Sequence, residues 1–159
     1  MSNIYNHKKN KDFLCHREDG PAIDHPQYKE WRLHNKLNRV DGPAVITSSG
    51  YQEHWVGGVK HRTDGPAVFF SAPNSTSVQE YWLNGMRHCS DAPACVYVDK
   101  LVRTYQEWRM KGLIHRANGP AITHFDGSMR YCIFGYYGKT LQQAYATVWS
   151  AFAKAMEMA

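Results

Sequence analysis

The sequence has only four cysteines in 159 residues, and no apolar run approaches the roughly 18–20 residues of a membrane-spanning helix. Four cysteines are too few to staple a small secreted fold with disulfides, so a reducing compartment is expected. The N-terminal residues are basic, but no apolar segment follows them, and secretion is therefore not expected. These absences predict a cytoplasmic protein that does not enter a membrane.

Signatures of catalysis are missing as well. The sequence contains no phosphate-binding glycine loop, no nucleophile elbow, no zinc-binding His-Glu-x-x-His and no paired carboxylates. We therefore expect neither enzymatic activity nor a cofactor or metal. The length predicts one domain, and 13% aromatic residues are too many for a disordered chain. The net charge of +5 permits nucleic acid or an acidic protein as a partner and requires neither.

A seven-residue motif recurs five times, with the pattern His-Arg-x-Asp-Gly-Pro-Ala. We call each copy a corner; the copies are His16–Ala22, Asn38–Ala44, His61–Ala67, His88–Ala94 and His115–Ala121. Aspartate and glycine predict a turn in which glycine adopts backbone angles closed to other residues, and proline predicts the start of a strand. The fourth corner has Cys89 in place of arginine and Ala92 in place of glycine, so we expect it to be strained or differently shaped.

A second motif lies between the corners and begins with glutamate in four of its five copies. The copies are Glu30–Leu33, Glu53–Val56, Glu80–Leu83, Glu107–Met110 and a weaker one, Arg130–Ile133. An apolar strand after each corner, a turn and this second strand together predict a β-hairpin. The sequence thus predicts a mainly β fold, a tandem array of about five hairpin repeats in a single twisted sheet or a coiled repeat. Expected boundaries are a basic arm over 1–12, repeats over 13–138 and a C-terminal α-helix over 139–159.

The joined pattern Trp-x-Asn-Gly-x-x-His-Arg-x-Asp-Gly-Pro-Ala resembles the MORN-like β-hairpin repeats of phage, giant-virus and bacterial proteins. Its two halves are clearest in Trp82–His88 and His61–Ala67. The resemblance covers about residues 13–138 and implies a binding surface or scaffold without catalytic residues. It also suggests a phage-type accessory protein in the host cytoplasm, one that binds and modulates or inhibits a host protein complex, for example a defence complex.

The C-terminal segment is rich in alanine and has the spacing of an amphipathic helix. Its apolar residues are Leu141, Tyr145, Val148, Trp149, Phe152 and Met156. Such a helix can cover the end of an open array of hairpins, because exposed sheet edges need protection. It can also serve as a docking surface or a homodimer interface. Both interpretations stay open at this point.

Nine histidines raise the question of a metal site. His16, His61, His88 and His115 occupy equivalent corners, and successive two-stranded units are about 9–10 Å apart. That separation is too large for zinc, whose ligands lie about 2.0–2.3 Å from the ion. We therefore expect these histidines to brace the corners through hydrogen bonds. Cys95 takes the strand position that Val68 and Ile122 fill elsewhere, which predicts a core cysteine.

Alternation along the glutamate-containing strand predicts a protein-binding face. Trp31, His54, Tyr81 and Trp108 are assigned to the core side, and Glu30, Glu53, Glu80 and Glu107 to a solvated rim on the other. The same outer side carries Arg32, Trp55, Trp82 and Arg109, which we call the Trp/Arg row. Tryptophan and arginine are enriched in interface hot spots. The alternative is an arrangement in which both faces are partly buried.

Nucleic-acid binding is the alternative function. A basic arm and a ladder of corner arginines could contact phosphates; these residues are Lys8, Lys9 and Lys11 with Arg17, Arg39, Arg62 and Arg116. The glutamates and the corner aspartates would neutralise much of that charge.

Overall fold

The structure is a computed structural model that describes residues 15–73 and 75–158. Its secondary structure consists mainly of short antiparallel strands joined as hairpins, and one helix follows them. This confirms the mainly β fold with a C-terminal helix. The predicted basic arm lies outside the described residues. Contacts along the chain divide it into two units, Met1–Gly85 and Met86–Ala159, and each is described by itself.

Within its described residues, the first unit contains eleven short strands. They are β1 (Ile23–His25), β2 (Tyr28–Glu30), β3 (Arg32–Leu33), β4 (Lys36–Leu37), β5 (Val45–Thr47), β6 (Gln52–Glu53), β7 (Trp55–Val56), β8 (Val59–Lys60), β9 (Val68–Phe70), β10 (Ser77–Glu80) and β11 (Trp82–Leu83). Six of them form an antiparallel sheet in the order β1-β2-β5-β6-β9-β10. The register places Glu30 opposite Val45 and Glu53 opposite Val68.

A single residue separates each glutamate-ending strand of this sheet from a second, smaller hairpin. Trp31 divides β2 from β3, and His54 divides β6 from β7. The small hairpins are β3–β4 and β7–β8. The second motif therefore forms two short strands, whereas its alternating pattern predicted a single continuous strand. The N–H of Trp31 still donates to the Ala44 carbonyl, 2.8 Å away, so the dividing residue joins two consecutive repeats.

The turns of the small hairpins have positive φ at both central residues, as a type I′ turn requires. The pairs in the first unit are His34–Asn35, Gly57–Gly58 and Asn84–Gly85. In the second unit they are Lys111–Gly112 and Phe134–Gly135. Asn35 of the first turn donates its N–H to the Cys15 carbonyl, and the second residue of each later turn donates to a carbonyl of the preceding small hairpin, as Gly58 does to Leu37 over 2.9 Å. Consecutive small hairpins are linked in this way.

The second unit repeats the arrangement and adds the helix. Its elements are β12 (Met86–Arg87), β13 (Cys95–Val98), β14 (Thr104–Glu107), β15 (Arg109–Met110), β16 (Leu113–Ile114), β17 (Ile122–Thr123), β18 (Met129–Ile133), β19 (Tyr136–Gly138) and α1 (Leu141–Glu157). The sheet order is β13-β14-β17-β18-β19, and β15–β16 is a small hairpin. β18 runs through the dividing position without a break, and the last copy of the motif has Arg130 in place of the glutamate.

Helix α1 packs on the last hairpin of the second unit. Thr140 caps its N-terminus by accepting a hydrogen bond from the Gln143 N–H over 3.2 Å. Ala144 and Val148 are buried against Ile133. Gly138 permits this approach, since a Cβ there would lie 2.7–2.8 Å from backbone atoms of Gln143 and Thr140. The helix thus does cover the last hairpin.

Small side chains dominate the buried positions. The five corner alanines, Ala22, Ala44, Ala67, Ala94 and Ala121, are all buried. Each lies directly before a sheet strand, and the backbone there can bond to the neighbouring strand, as the Ala44 N–H does to the Glu53 carbonyl over 2.7 Å. Cys95 is fully buried as well, which confirms the prediction of a core cysteine.

Candidate functional site

The corner arginines are held within their own corners. In the third corner, Nε of Arg62 donates to Asp64 over 2.8 Å and an Nη atom donates to the Pro66 carbonyl over 3.2 Å. Arg17 and Arg39 make the same two contacts in their corners. The hydrogen bond from Arg62 lowers the pKa of Asp64 below its usual range. These cations are therefore already paired.

The corner glycine is required for space and not for its backbone angles. The expectation of a special backbone conformation is wrong, because φ of Gly65 lies outside the left-handed region. A Cβ on Gly65 would instead lie 3.1 Å from Cζ of Arg62, and the other arginine-containing corners have the same geometry. The fourth corner has Cys89 where the others have arginine, and Ala92 fits there. Ala94 in that corner is as deeply buried as its equivalents, so the exchange leaves the strand entry intact.

Two corner arginines also cover the aromatic ring at a dividing position. Cζ of Arg39 lies 4.0 Å from the ring centroid of Trp31, and Cζ of Arg116 lies 3.9 Å from that of Trp108. In the fifth corner asparagine replaces the aspartate, and the buried Nε of Arg116 has no hydrogen-bond partner among the described residues. The other candidates for nucleic-acid contact, Lys8, Lys9 and Lys11, lie outside the described part of the chain.

The corner histidines accept hydrogen bonds from the turn of the next small hairpin. Nδ1 of His61 accepts from the Asn84 N–H over 3.1 Å, and Nδ1 of His115 accepts from the Phe134 N–H over 3.3 Å. His16 and His88 make the same contact. At the second corner the Asn38 side-chain oxygen accepts instead, from Gly57 over 2.8 Å. A neutral ring nitrogen is required for this role, and burial lowers the pKa of His115.

The Trp/Arg row lies beside the glutamates and bonds to them. Nε1 of Trp55 donates to Glu53 over 2.8 Å, and Nε1 of Trp82 donates to Glu80 over the same distance. Arg32 donates through Nε to Glu30 over 2.7 Å in the first unit. Arg109 donates in the same way to Glu107 over 2.5 Å in the second. Tryptophan and arginine share this position because both present an N–H two residues after the carboxylate.

The prediction of a solvated glutamate rim is wrong for two residues. Glu80 and Glu107 are each only 6% exposed. Burial raises the pKa of Glu107, but hydrogen bonds from Arg109 and Tyr105 and the charge of Arg87 outweigh it, and the pKa is lowered overall. Burial and the nearby Glu107 raise the pKa of Tyr105 to about 12. The carboxylates are thus internal acceptors for the row.

Both sides of the strand are partly buried, which is the arrangement that alternation left as the alternative. Trp31 and His54 on one side, and Trp55 and Trp82 on the other, are all of intermediate exposure. Sequence reasoning placed the row outward and overlooked its bond to the preceding glutamate. The spacing Glu-x-Trp and Glu-x-Arg was the available signal.

Lys60 connects two members of the row in the first unit. Its Nζ lies 5.4 Å from the ring centroid of Trp55 and 5.4 Å from that of Trp82. It also forms an ion pair of 3.1 Å with Glu53. Sequence analysis did not single out Lys60, because nothing in the motif marks the partner strand. Where arginine takes the row position, the residue opposite is aliphatic, as Leu37 is opposite Arg32.

Two other kinds of site, a metal centre and a membrane-spanning helix, are absent from the described residues. No group of three or more His, Cys, Asp or Glu side chains is placed to hold a metal ion among residues 15–73 and 75–158. In the same part of the chain, no helix has the length and apolar character that crossing a membrane demands.

No protein-family model matches the chain, and no curated protein sequence matches it. The resemblance to MORN-like repeats therefore rests on the residues of the two motifs.

Proposed function

We propose that the chain is a non-enzymatic protein-binding module that uses the Trp/Arg row, centred on Trp55 and Trp82 in the first unit. Arg32 belongs to the same unit, and Arg109 holds the equivalent position in the second. The observation that carries the proposal is the pairing of each tryptophan N–H with a neighbouring glutamate.

That pairing gives the rings the properties of interface anchors. A partner that covers Trp55 does not need to supply an acceptor for the indole N–H. Burial of the ring therefore leaves no unpaired donor. The hydrogen bond and Lys60 also fix the ring before binding, which reduces the conformational entropy lost on association. Rigid aromatic rings with neighbouring cations are typical of hot spots.

The corner geometry favours a protein over a nucleic acid. A phosphate contact by Arg39 or Arg62 would compete with the aspartate in the same corner. Binding to phosphates draws on the positive charge of lysine and arginine, and the paired aspartates offset part of that charge at these two corners. Together with the phage-type resemblance, this supports a host protein in the host cytoplasm as the partner, bound so that its activity is modulated or inhibited.

The test is affinity capture from lysate of the natural host, with and without nuclease, followed by titration of the purified partner. The informative variant combines Trp55→Arg with Lys60→Leu, because the chain already contains that pair as Arg32 and Leu37. It keeps a donor for Glu53 and removes the ring. Binding should weaken by about 2 kcal/mol, roughly 30-fold, at an unchanged melting temperature.

Two further variants serve as controls. Val40→Ser changes an exposed corner residue outside the row and should leave binding unaltered. Trp82→Phe keeps a ring but removes the donor to Glu80, so it should lower stability more than affinity. If the Trp55→Arg/Lys60→Leu variant bound the partner with the affinity of the wild type, the Trp/Arg row would not be part of the interface. Capture that disappears with nuclease and falls steeply with salt would establish nucleic-acid binding in its place.

A further inference from the structure

Helix α1 has two apolar stripes, and the last hairpin covers one of them. Leu141, Ala144 and Val148 make up the covered stripe. The second stripe consists of Tyr145, Trp149, Phe152 and Met156, which are 37%, 71%, 58% and 81% exposed. We call it the helix seam. Sequence analysis assigned all six large apolar residues to one face, and the structure divides them between two.

The seam has the spacing of a helix–helix contact. Its residues follow one another at intervals of four, three and four, the a/d spacing of a coiled coil. Tyr145 is held at one end, since its hydroxyl donates to the Ala117 carbonyl over 3.0 Å. The seam is thus a straight apolar line on a helix whose other side is fixed to the sheet.

The charge of the helix favours a second copy of the chain as the occupant. Lys154 and Glu157 are the charged residues of α1, so the helix is neutral although the whole chain carries +5. A helix that lies on an anionic membrane has a polar face rich in lysine and arginine. A helix that binds a charged protein segment needs complementary charge. A second seam brings the same neutral, apolar surface and meets no repulsion.

We propose that two copies of the chain associate through their helix seams. A two-fold axis uses the same patch on both copies. In an antiparallel arrangement centred between Ser150 and Ala151, Trp149 faces Phe152 of the second copy and Tyr145 faces Met156. Antiparallel packing also places opposite ends of the two helix dipoles side by side.

The available area sets the strength of the association. With about 200 Å² for each fully exposed side chain, the seam presents roughly 500 Å², and two copies would bury about 1,000 Å². Stable interfaces usually bury about 1,200–2,000 Å² in total, and weaker ones less. A reversible dimer that forms at micromolar concentrations is therefore expected.

Sedimentation velocity of the full chain between about 1 and 200 µM tests the proposal. The wild type should shift from monomer to dimer across this range. The double variant Trp149→Glu/Phe152→Glu should raise the dissociation constant at least 30-fold and keep the melting temperature, because Val148 and Ala144 stay packed. The matched control Thr147→Glu/Ser150→Glu changes two polar helix positions and should dimerise like the wild type.

Three outcomes would overturn the proposal. The first is a wild type that stays monomeric at 200 µM, and the second is a seam variant that dimerises as well as the wild type. The third is a monomer that co-sediments with vesicles of phosphatidylserine and phosphatidylcholine through the seam, since a membrane would then be the occupant. Neither experiment involves the Trp/Arg row, so this proposal stands independently of the proposed function.

Discussion

The exchange of two residues in the fourth corner predicts an energetic coupling in the others. Arg62 and Gly65 occupy the positions that Cys89 and Ala92 hold in the fourth corner. We expect Gly65→Ala to destabilise the wild type and to be harmless, or stabilising, in an Arg62→Cys background. Whether Gly65→Ala lowers or raises the free energy of unfolding should therefore depend on whether Arg62 is present.

The magnitude follows from the contacts of the added methyl group. A Cβ on Gly65 would lie 3.1 Å from Cζ of Arg62 and 3.3 Å from its Nε, so the guanidinium would have to shift by a few tenths of an ångström, which strains its hydrogen bonds to Asp64 and Pro66. Overpacking of this kind costs about 1–3 kcal/mol. Where φ permits it, glycine to alanine otherwise gains about 0.4–1 kcal/mol by restricting the unfolded chain. The coupling energy between the two sites should thus be on the order of 1–3 kcal/mol.

Urea unfolding of the four proteins of this cycle, under reducing conditions and followed by circular dichroism, measures the coupling. Equal m values would show that the denatured state is unchanged. Gly50→Ala is the control, because Gly50 has a φ of 88° and its Cβ would meet nothing within 4 Å. It should lose the same stability in both backgrounds. The packing argument would be refuted if Gly65→Ala changed the free energy of unfolding by the same amount, within about 0.3 kcal/mol, in the two backgrounds.

Two further predictions concern single residues. Because burial lowers the pKa of His115 in the folded state, the unfolded state binds that proton more readily, and stability should fall as the pH drops below about 6.5. His115→Asn, which copies Asn38, should flatten this dependence in urea titrations at pH 7.5 and 5.5, and an unchanged slope would contradict the assignment. Gly138→Ala should detach α1 and lower the melting temperature, because the added Cβ would overlap backbone atoms of Thr140 and Gln143; a variant with wild-type stability and helix content would show that the contact yields easily.

The sequence predicts the hairpins because their signals are local. Proline at a strand start and glycine in a turn act within a few residues of themselves, and the strand after each corner follows directly on its buried alanine. The division of the second strand at Trp31 and His54 is not predictable in the same way. Both residues suit a continuous strand, and the break depends on backbone bonds to the next repeat, such as Trp31 to Ala44.

The candidate site shows where pattern reasoning fails. Hydrophobic alternation separates two faces but does not say whether a charged residue on one of them has an internal donor. Glu80 was assigned to solvent because glutamate usually is, whereas Trp82 two residues later supplies a hydrogen bond that makes burial tolerable. The same limit applies to the helix. The spacing of its apolar residues identifies an apolar face, but it does not show which part of that face another element covers.

Polar contacts explain how a fold with mostly small buried side chains is held together. The Arg62–Asp64 and Trp55–Glu53 contacts each join residues two positions apart. The bond from Asn84 to His61 ties one repeat to the next. Nearest-neighbour contacts of this kind stabilise an array of hairpins unit by unit. In the Trp/Arg row the same kind of bond occupies the polar atom of each half-buried tryptophan ring, so the part of the ring that stays exposed is apolar, and the proposed binding of a partner depends on that surface.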